Sequence, residues 1–403
     1  PWSRMIRGYD DMKKAMDGNQ AVAEGARLSK VQLVAAYPIT PQTPIVEHIS
    51  DYVREGRLEA KYIAVESEHS ALSAVIGGSL VGARAFTATA GAGLALMHEV
   101  VGVASGDRLP IVMAVANRSI PSPWSLQCDH SDSMSERDQG WIQLYAENCQ
   151  EALDLVIIAY RLAEDERVRV PVMLCEDGFY VSHTTEVVEL PDQKDVDAFL
   201  PPFKRQHLYL DVEEPMVVNA LTSADTFTEI KYEHFKALEN ALHVFTEISA
   251  EFNQRFGRAY DLINSYGTED AETVIVAMGS IAGTVREVVK NLRAQGQKIG
   301  TVKVTSFRPF PNEAIRRALA GAKRVLVVDR SAGMGSEGPL ALEVMGSLYG
   351  LDQPPAVYGF IGGLGGRDFH YQSVLNMIAK AQQFAEQGLS RAGGVWIDVK
   401  EAD

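Results

Sequence analysis

Short apolar runs, each followed by a loop and then a helix-like stretch, recur through the first 185 residues of this 403-residue chain. That alternation restricts it to folds built on a parallel sheet. The runs lie at 31–36, 62–65, 85–88, 111–116 and 170–174. They are continuously apolar, as strands buried on both faces must be. Helices are predicted over 67–83, rich in Ala, Gly and Ser, and over 151–164. From 186 to about 230 the pattern breaks, and Pro191, Pro201, Pro202 and Pro215 among charged residues predict a long surface excursion. Phe235, Leu238, Leu242, Phe245, Ile248 and Phe252 then mark one face of a long helix, with Gly257 as its C-cap. A second α/β pattern begins near 271. Its strands are expected at 273–278, 301–304, 324–328 and 356–360, and its helices at 283–295, 312–320 and 338–348. No short internal repeat is present.

Composition narrows the function classes. A formal net charge of -15 argues against nucleic acid as a partner, because phosphate contacts need clustered Lys and Arg. No run of about 18 apolar residues occurs, so no membrane span is expected, and no signal-peptide pattern is read. The opening Pro1-Trp2-Ser3 lacks a methionine, which points to processing or a cloning scar. Cys128, Cys149 and Cys175 are far apart and make no C-x-x-C pair. No metal or iron–sulfur site is therefore expected in this chain, and a reducing cytoplasm is.

Four motifs follow predicted strands. The first is Tyr37-Pro38-Ile39-Thr40-Pro41-Gln42-Thr43-Pro44, a proline-stiffened loop that suits a preorganised site or simply a helix start capped by Thr40 or Thr43. Next comes Glu66-Ser67-Glu68-His69-Ser70, whose acids either favour the positive end of a helix dipole or place one buried carboxylate against a cofactor nitrogen. The third, Thr87-Ala88-Thr89-Ala90-Gly91-Ala92-Gly93, resembles a dinucleotide fingerprint but has Leu96 where its third glycine belongs. Its small residues admit a bulky ligand close to the backbone. The fourth is Arg118, suited to a carboxylate fork, followed by Asp129-His130-Ser131-Asp132, whose spacing favours a loop hydrogen-bond network over a metal. Glu164-Asp165-Glu166-Arg167 reads as a solvated helix end, and 362–366 (GGLGG) as a flexible loop. From the residues alone this is an α/β protein with a ligand site at strand carboxyl ends.

Taken together, the motifs YPITPQTP (37–44), ESEHS (66–70), TATAGAGLALMHE (87–99) and DHSDSMSERDQGWIQ (129–143) resemble the separate α subunit of the pyruvate:ferredoxin oxidoreductase superfamily. Residues 151–154, 177–179, 278–280, 308–311 and 362–366 also fit, so the resemblance spans about 8 to 380. It implies an α/β fold: a parallel-sheet thiamine-diphosphate pyrimidine-binding domain at 1–262, with the excursion at 186–230, then a transketolase C-terminal-like α/β domain at 263–403. Glu68 matches the glutamate that meets N1′ of the cofactor's aminopyrimidine. Pro38, Ile39, Thr89, Gly91 and Gly93 match its surroundings. Thr40 and Arg118 match positions that hold the substrate's keto and carboxylate oxygens.

The implied reaction is the oxidative decarboxylation of a 2-oxoacid, pyruvate first, to acyl-CoA and CO₂. Electrons would pass to ferredoxin or, through a flavin subunit, to NAD. The family's Gly-Asp-Gly…Asn motif for diphosphate and Mg²⁺ is missing, for Asp177-Gly178 stands in another context. The resemblance therefore implies a β subunit that holds diphosphate and Mg²⁺. It also implies a γ subunit and a ferredoxin-like δ subunit with 4Fe-4S clusters, in a dimer of heteromers. After Arg118 the loop reads Ile120-Pro121-Ser122-Pro123-Trp124-Ser125-Leu126-Gln127. Trp124 there either favours a branched or aromatic 2-oxoacid such as phenylglyoxylate, or packs the loop. A non-catalytic scaffold subunit is the competing reading from another class, disfavoured by the intact Glu68, Thr40 and Arg118.

Overall fold

A computed structural model describes residues 13–204 and 208–400, so the opening Pro1-Trp2-Ser3 lies outside the described residues. From the amino end, β1 (Lys13–Met16), α1 (Gly18–Leu28), β2 (Leu33–Ala36), α2 (Thr43–Arg54) and β3 (Lys61–Ala64) follow one another. Then come α3 (Glu68–Leu80), β4 (Ala85–Thr89), α4 (Gly91–Leu96), α5 (His98–Gly106) and β5 (Val112–Asn117). The first half closes with α6 (Ser131–Ser135), β6 (Ile142–Ala146), α7 (Cys149–Ala163) and β7 (Val172–Asp177). Side chains set the helix starts: Asp17, Ser67 and Asn148 each accept a backbone N–H from the first turn of α1, α3 and α7.

These strands form a seven-stranded sheet in the order β12-β6-β7-β5-β4-β2-β3. Six of them run parallel, with Ala36 beside Ala64, Thr89 beside Val115 and Asn117 beside Asp177. The parallel sheet expected from the alternation is thus the one observed. β6 escapes a reading by apolar runs because Gln143 sits in it fully buried, its amide donating to the Ser133 carbonyl at 2.7 Å.

Beyond β7 come β8 (Glu186–Glu189), α8 (Gln193–Phe199) and α9 (Ala224–Phe256). The expected excursion is therefore only partly irregular. β8 pairs antiparallel with β1, and Phe199 of α8 packs edge-on against Phe252. The buried face of α9 also differs from the expected one. Phe245, Ile248 and Phe252 point inward, but Phe235 is exposed and His234 takes the inward place. Gly140 makes this possible: a side chain there would collide with the His234 ring, which hydrogen-bonds the Gly140 carbonyl at 2.9 Å. Gly257 ends the helix in the left-handed region, as expected.

The last third holds β9 (Ile263–Tyr266), β10 (Thr273–Met278), α10 (Ile281–Ala294), β11 (Ile299–Val304), β12 (Ser306–Arg308) and α11 (Asn312–Leu319). β13 (Arg324–Asp329), α12 (Pro339–Leu348), β14 (Ala356–Ile361), α13 (Tyr371–Glu386) and β15 (Arg391–Trp396) complete it. A six-stranded sheet results, ordered β15-β14-β13-β10-β11-β9, while β12 crosses back to pair with β6 of the first sheet. One continuous apolar cluster joins Leu72, Met113 and Tyr145 to Val276, Val304, Phe307 and Leu340, so the two sheets share a core. No helix among the described residues is long and apolar enough to cross a membrane.

Two loop expectations are corrected. Glu164 is not solvated: its carboxylate takes both Nε and Nη2 of the buried Arg84, at 2.6 and 2.8 Å. The remaining guanidinium donors reach the carbonyls of Ser29 and Pro201. The 362–366 loop is pinned, with Gly366 N–H on the Cys128 carbonyl and Tyr180 hydroxyl on the Gly366 carbonyl, both at 2.8 Å. Removing Arg84 leaves a buried carboxylate uncompensated. Arg84→Met should therefore cost about 3–5 kcal/mol, seen as a lower urea midpoint.

Candidate functional site

Because β2, β3, β4, β5 and β7 run parallel, the loops that follow them emerge at one edge of the sheet. All four motifs meet there. Ser67 caps α3 with its hydroxyl, accepting from Ser70 N–H at 3.2 Å, which makes Glu68 the first helical residue. Glu68 is 6% exposed. Glu66 lies outside the helix and in solvent, bound by the Ser70 hydroxyl at 2.5 Å, and that bond holds its carboxyl below the usual range.

Gly93 explains how Glu68 reaches the edge. A Cβ on Gly93 would lie 2.6 Å from Glu68 Oε1 and 2.7 Å from Thr89 Oγ1. Carboxylate and hydroxyl thus both face a bare backbone, and any side chain there would collide with them. Thr89 Oγ1 is buried and has no hydrogen-bond partner among the described residues. Gly91, at φ +50°, does the same for Arg118: its absent Cβ would sit 3.1 Å from Arg118 Cγ and Cδ. Arg118 is 3% exposed, and burial lowers its pKa against the opposing pull of Asp132 and Glu68. Its Nη1 donates to the Thr40 carbonyl at 2.9 Å and its Nε to the Ser125 carbonyl at 3.3 Å. The Thr40 side chain and Pro38 are exposed beside it, and Ile39 is half-buried.

Glu68, Thr89, Gly91, Gly93, Arg118, Thr40, Pro38 and Ile39 therefore share one edge. The arrangement offers an acid, a free buried hydroxyl, and a guanidinium whose Nη2 donates to no group among the described residues. An acid that can exchange a proton and a free guanidinium nitrogen for a carboxylate suit a keto-acid substrate and a nitrogen-bearing cofactor.

One participant was legible only as part of a loop network. Asp132 is fully buried, and its Oδ2 accepts Gly91 N–H at 2.8 Å and Arg118 N–H at 2.9 Å. Its Oδ1 accepts the Asn117 amide and Ser133 N–H, both at 2.8 Å. The tips of β4 and β5 are joined through this carboxylate, which burial pushes up to about 6. Asp129 supports the same loop through the Ser119 hydroxyl, at 2.6 Å.

The role of Asp177 was not legible beforehand either. It ends β7 and reaches into the second sheet, accepting His130 Nε2 at 2.6 Å, Arg330 Nη1 at 2.9 Å and Ser280 N–H at 2.9 Å. Although burial opposes it, Arg330 and His130 hold this carboxyl well below the usual range. Ser280 and Arg330 follow β10 and β13, where the strand order of the second sheet reverses. In open α/β sheets that crevice receives ligands; here Asp177 occupies it. The adjacent Gly178 N–H bonds the Asn117 carbonyl at 3.2 Å, and a Cβ on Gly178 would lie 2.9 Å from the Pro41 ring.

Comparison with known proteins identifies the family. Residues 24–250 match the family described as pyruvate flavodoxin/ferredoxin oxidoreductase, thiamine diphosphate-binding. Residues 271–374 match pyruvate:ferredoxin oxidoreductase core domain II. The pyruvate synthase subunit PorA of Pyrococcus horikoshii is 45% identical over 97% of this chain and 99% of its own length. The ketoisovalerate oxidoreductase subunit VorA of the same organism is 46% identical over 94% and 96%. A solved 2-oxoglutarate:ferredoxin oxidoreductase from Magnetococcus marinus, with 2-oxoglutarate, coenzyme A and succinyl-CoA bound, superposes at a TM-score of 0.71. It is 21% identical, and the match covers 92% of this chain and 65% of that one.

Four donors surround Asp132, so an amide in its place must aim N–H at N–H. Asp132→Asn should lower turnover on the order of 10²-fold, with an unchanged far-UV spectrum. The wild type should lose activity as pH falls through about 6, because the arriving proton removes an acceptor from that cluster. A pH–rate profile of the assembled enzyme checks this.

Proposed function

The chain belongs to the pyruvate flavodoxin/ferredoxin oxidoreductase family, and from that premise we propose that it is the α subunit of a complex that oxidatively decarboxylates a 2-oxoacid with coenzyme A. The products are acyl-CoA and CO₂, and the electrons go to ferredoxin or, through another subunit, to NAD. Support comes above all from the Glu68 carboxylate and the Thr89 hydroxyl both facing the bare backbone of Gly93, with Arg118 held across Gly91.

Thiamine diphosphate, when bound, supplies a thiazolium ring able to take up the electron pair left by decarboxylation. The residues present fit its pyrimidine end. Glu68 holds a proton against N1′ and exchanges it during activation. The unpartnered Thr89 hydroxyl is placed to bond the same ring, and Gly91 and Gly93 leave space for it. Pro38 and Ile39 bound its outer side. Arg118 anchors the substrate carboxylate through Nη2, and the exposed Thr40 hydroxyl meets the keto oxygen.

Pyruvate is the first-choice substrate, since Thr40 and Arg118 are both in place. The comparably similar ketoisovalerate relative, together with Trp124 beside Arg118, supports branched or aromatic acids as the alternative. Residues 1–262 form the pyrimidine-binding part in this reading, and 263–403 the transketolase C-terminal-like part. A β subunit carries diphosphate and Mg²⁺, and γ and δ subunits carry the 4Fe-4S path, in a cytoplasmic dimer of heteromers.

Two measurements test this. The purified chain, given thiamine diphosphate, Mg²⁺, coenzyme A and pyruvate, should show no 2-oxoacid-dependent viologen reduction until its partner subunits are added. In the assembled enzyme, Glu68→Gln should slow exchange of the thiazolium C2 proton with deuterated water by at least about 10²-fold. Glu66→Gln should change it little. Wild-type exchange in Glu68→Gln would remove the role given to that carboxylate.

A further inference from the structure

The loop between Arg118 and Cys128 is anchored at its base. Ser119 N–H closes its base on the Gln127 carbonyl at 3.0 Å, and Ile120 N–H bonds the Ser131 hydroxyl at 2.9 Å. From the second domain Gly366 presses on it: a Cβ there would lie 2.8 Å from Gln127 Cγ. The tip carries Trp124, which is 72% exposed although its ring lies only 5.6 Å from the Arg118 Cζ. An indole this exposed is not there to fill a core. It offers an apolar face beside a buried guanidinium.

Arg118 has little freedom left. Thr40 holds Nη1, Ser125 holds Nε, and Trp124 lies over the group, leaving Nη2 for an incoming carboxylate. In any 2-oxoacid the side chain starts two bonds from the carboxylate carbon. A side chain that extends from that carboxylate toward the loop meets the indole, because the ring lies over the same guanidinium.

We propose that Trp124 is the specificity-determining residue for the 2-oxoacid side chain: its exposed face favours apolar side chains larger than methyl and disfavours a second carboxylate. This rests on Arg118 being the carboxylate anchor. Burying an aromatic face against apolar atoms is favourable, and the negative charge of the π-face repels an anion. Pyruvate stays a substrate in this view; Trp124 sets how strongly larger acids compete with it.

The experiment measures kcat/KM of the assembled complex for pyruvate, 3-methyl-2-oxobutanoate, phenylglyoxylate and 2-oxoglutarate. The wild type, Trp124→Ala, Trp124→Phe and Arg118→Ala are compared. A ratio between two substrates does not depend on how much enzyme is active, so partial misfolding leaves it unmoved. In Trp124→Ala the ratios of branched and aromatic acids to pyruvate should fall roughly tenfold, and that of 2-oxoglutarate should rise. Trp124→Phe should keep most of the wild-type preference. Ratios that stay put or move the other way in Trp124→Ala, or that fall as far in Trp124→Phe, overturn the proposal. Arg118→Ala separates the two readings: it should lower kcat/KM for every acid by roughly 30- to 150-fold. If it does so while the Trp124→Ala ratios stay unmoved, only the role of Trp124 fails. If it changes nothing, the anchor assignment fails and takes this proposal with it.

Discussion

The carboxylate of Asp132 is the point on which the geometry of the candidate site depends. It is fully buried and surrounded by donors: Gly91 N–H, Arg118 N–H, Ser133 N–H and the Asn117 amide. An acceptor-only group is what such a place requires. Two of those donors start the segments that carry opposite sides of the site, α4 behind Gly91 and the loop behind Arg118. Their separation is thus set by one carboxyl group. The cost of burying that charge appears in its pKa, pushed up to about 6. Buried charge that is fully hydrogen-bonded is the usual condition for holding a site rigid.

Asp177 plays the corresponding part between the two sheets. The crevice at the reversal point of the second sheet is filled by a side chain of the first, paired with Arg330 and His130. Lys303 adds a second buried tie, an ion pair to Glu151. With β12 paired to β6 and a shared apolar cluster, these contacts make the second domain a support for the first. Gly178 and Pro41 carry that support to the Thr40 loop, and Gly366 carries it to the loop of Trp124.

Small residues matter at this edge because of what they leave out. Gly93 admits the Glu68 carboxylate beside Thr89, and Gly91 admits the stem of Arg118. The same strands are closed at their amino ends by paired charges such as Arg84 with Glu164, next to a cavity of 860 Å³. At one end of the sheet the buried charges of Arg84 and Glu164 meet each other within the chain. At the other, Thr89 Oγ1 and Arg118 Nη2 are left for something else to meet.

Local pattern was enough to determine the parallel sheet and the motif-bearing loops at its carboxyl edge, since continuous apolar runs and strand-to-helix junctions are properties of adjacent residues; the family was legible only through the resemblance of the motifs taken together. Glu68, Arg118 and the two glycines were legible for the same reason, each lying in a motif directly after a strand. Other features were not legible, because they depend on residues far apart in the chain. Asp132 reaches 41 residues back to Gly91, and Asp177 reaches 153 residues forward to Arg330. Glu164 looked solvated because its partner Arg84 is 80 residues away. Phe235 looked buried because nothing near it in sequence reveals that Gly140 makes room for His234. The sequence alone determined which groups stand at the edge of the sheet. Only the tertiary structure decided which of them meet, because a buried charge or donor takes its partner from whatever segment packs against it.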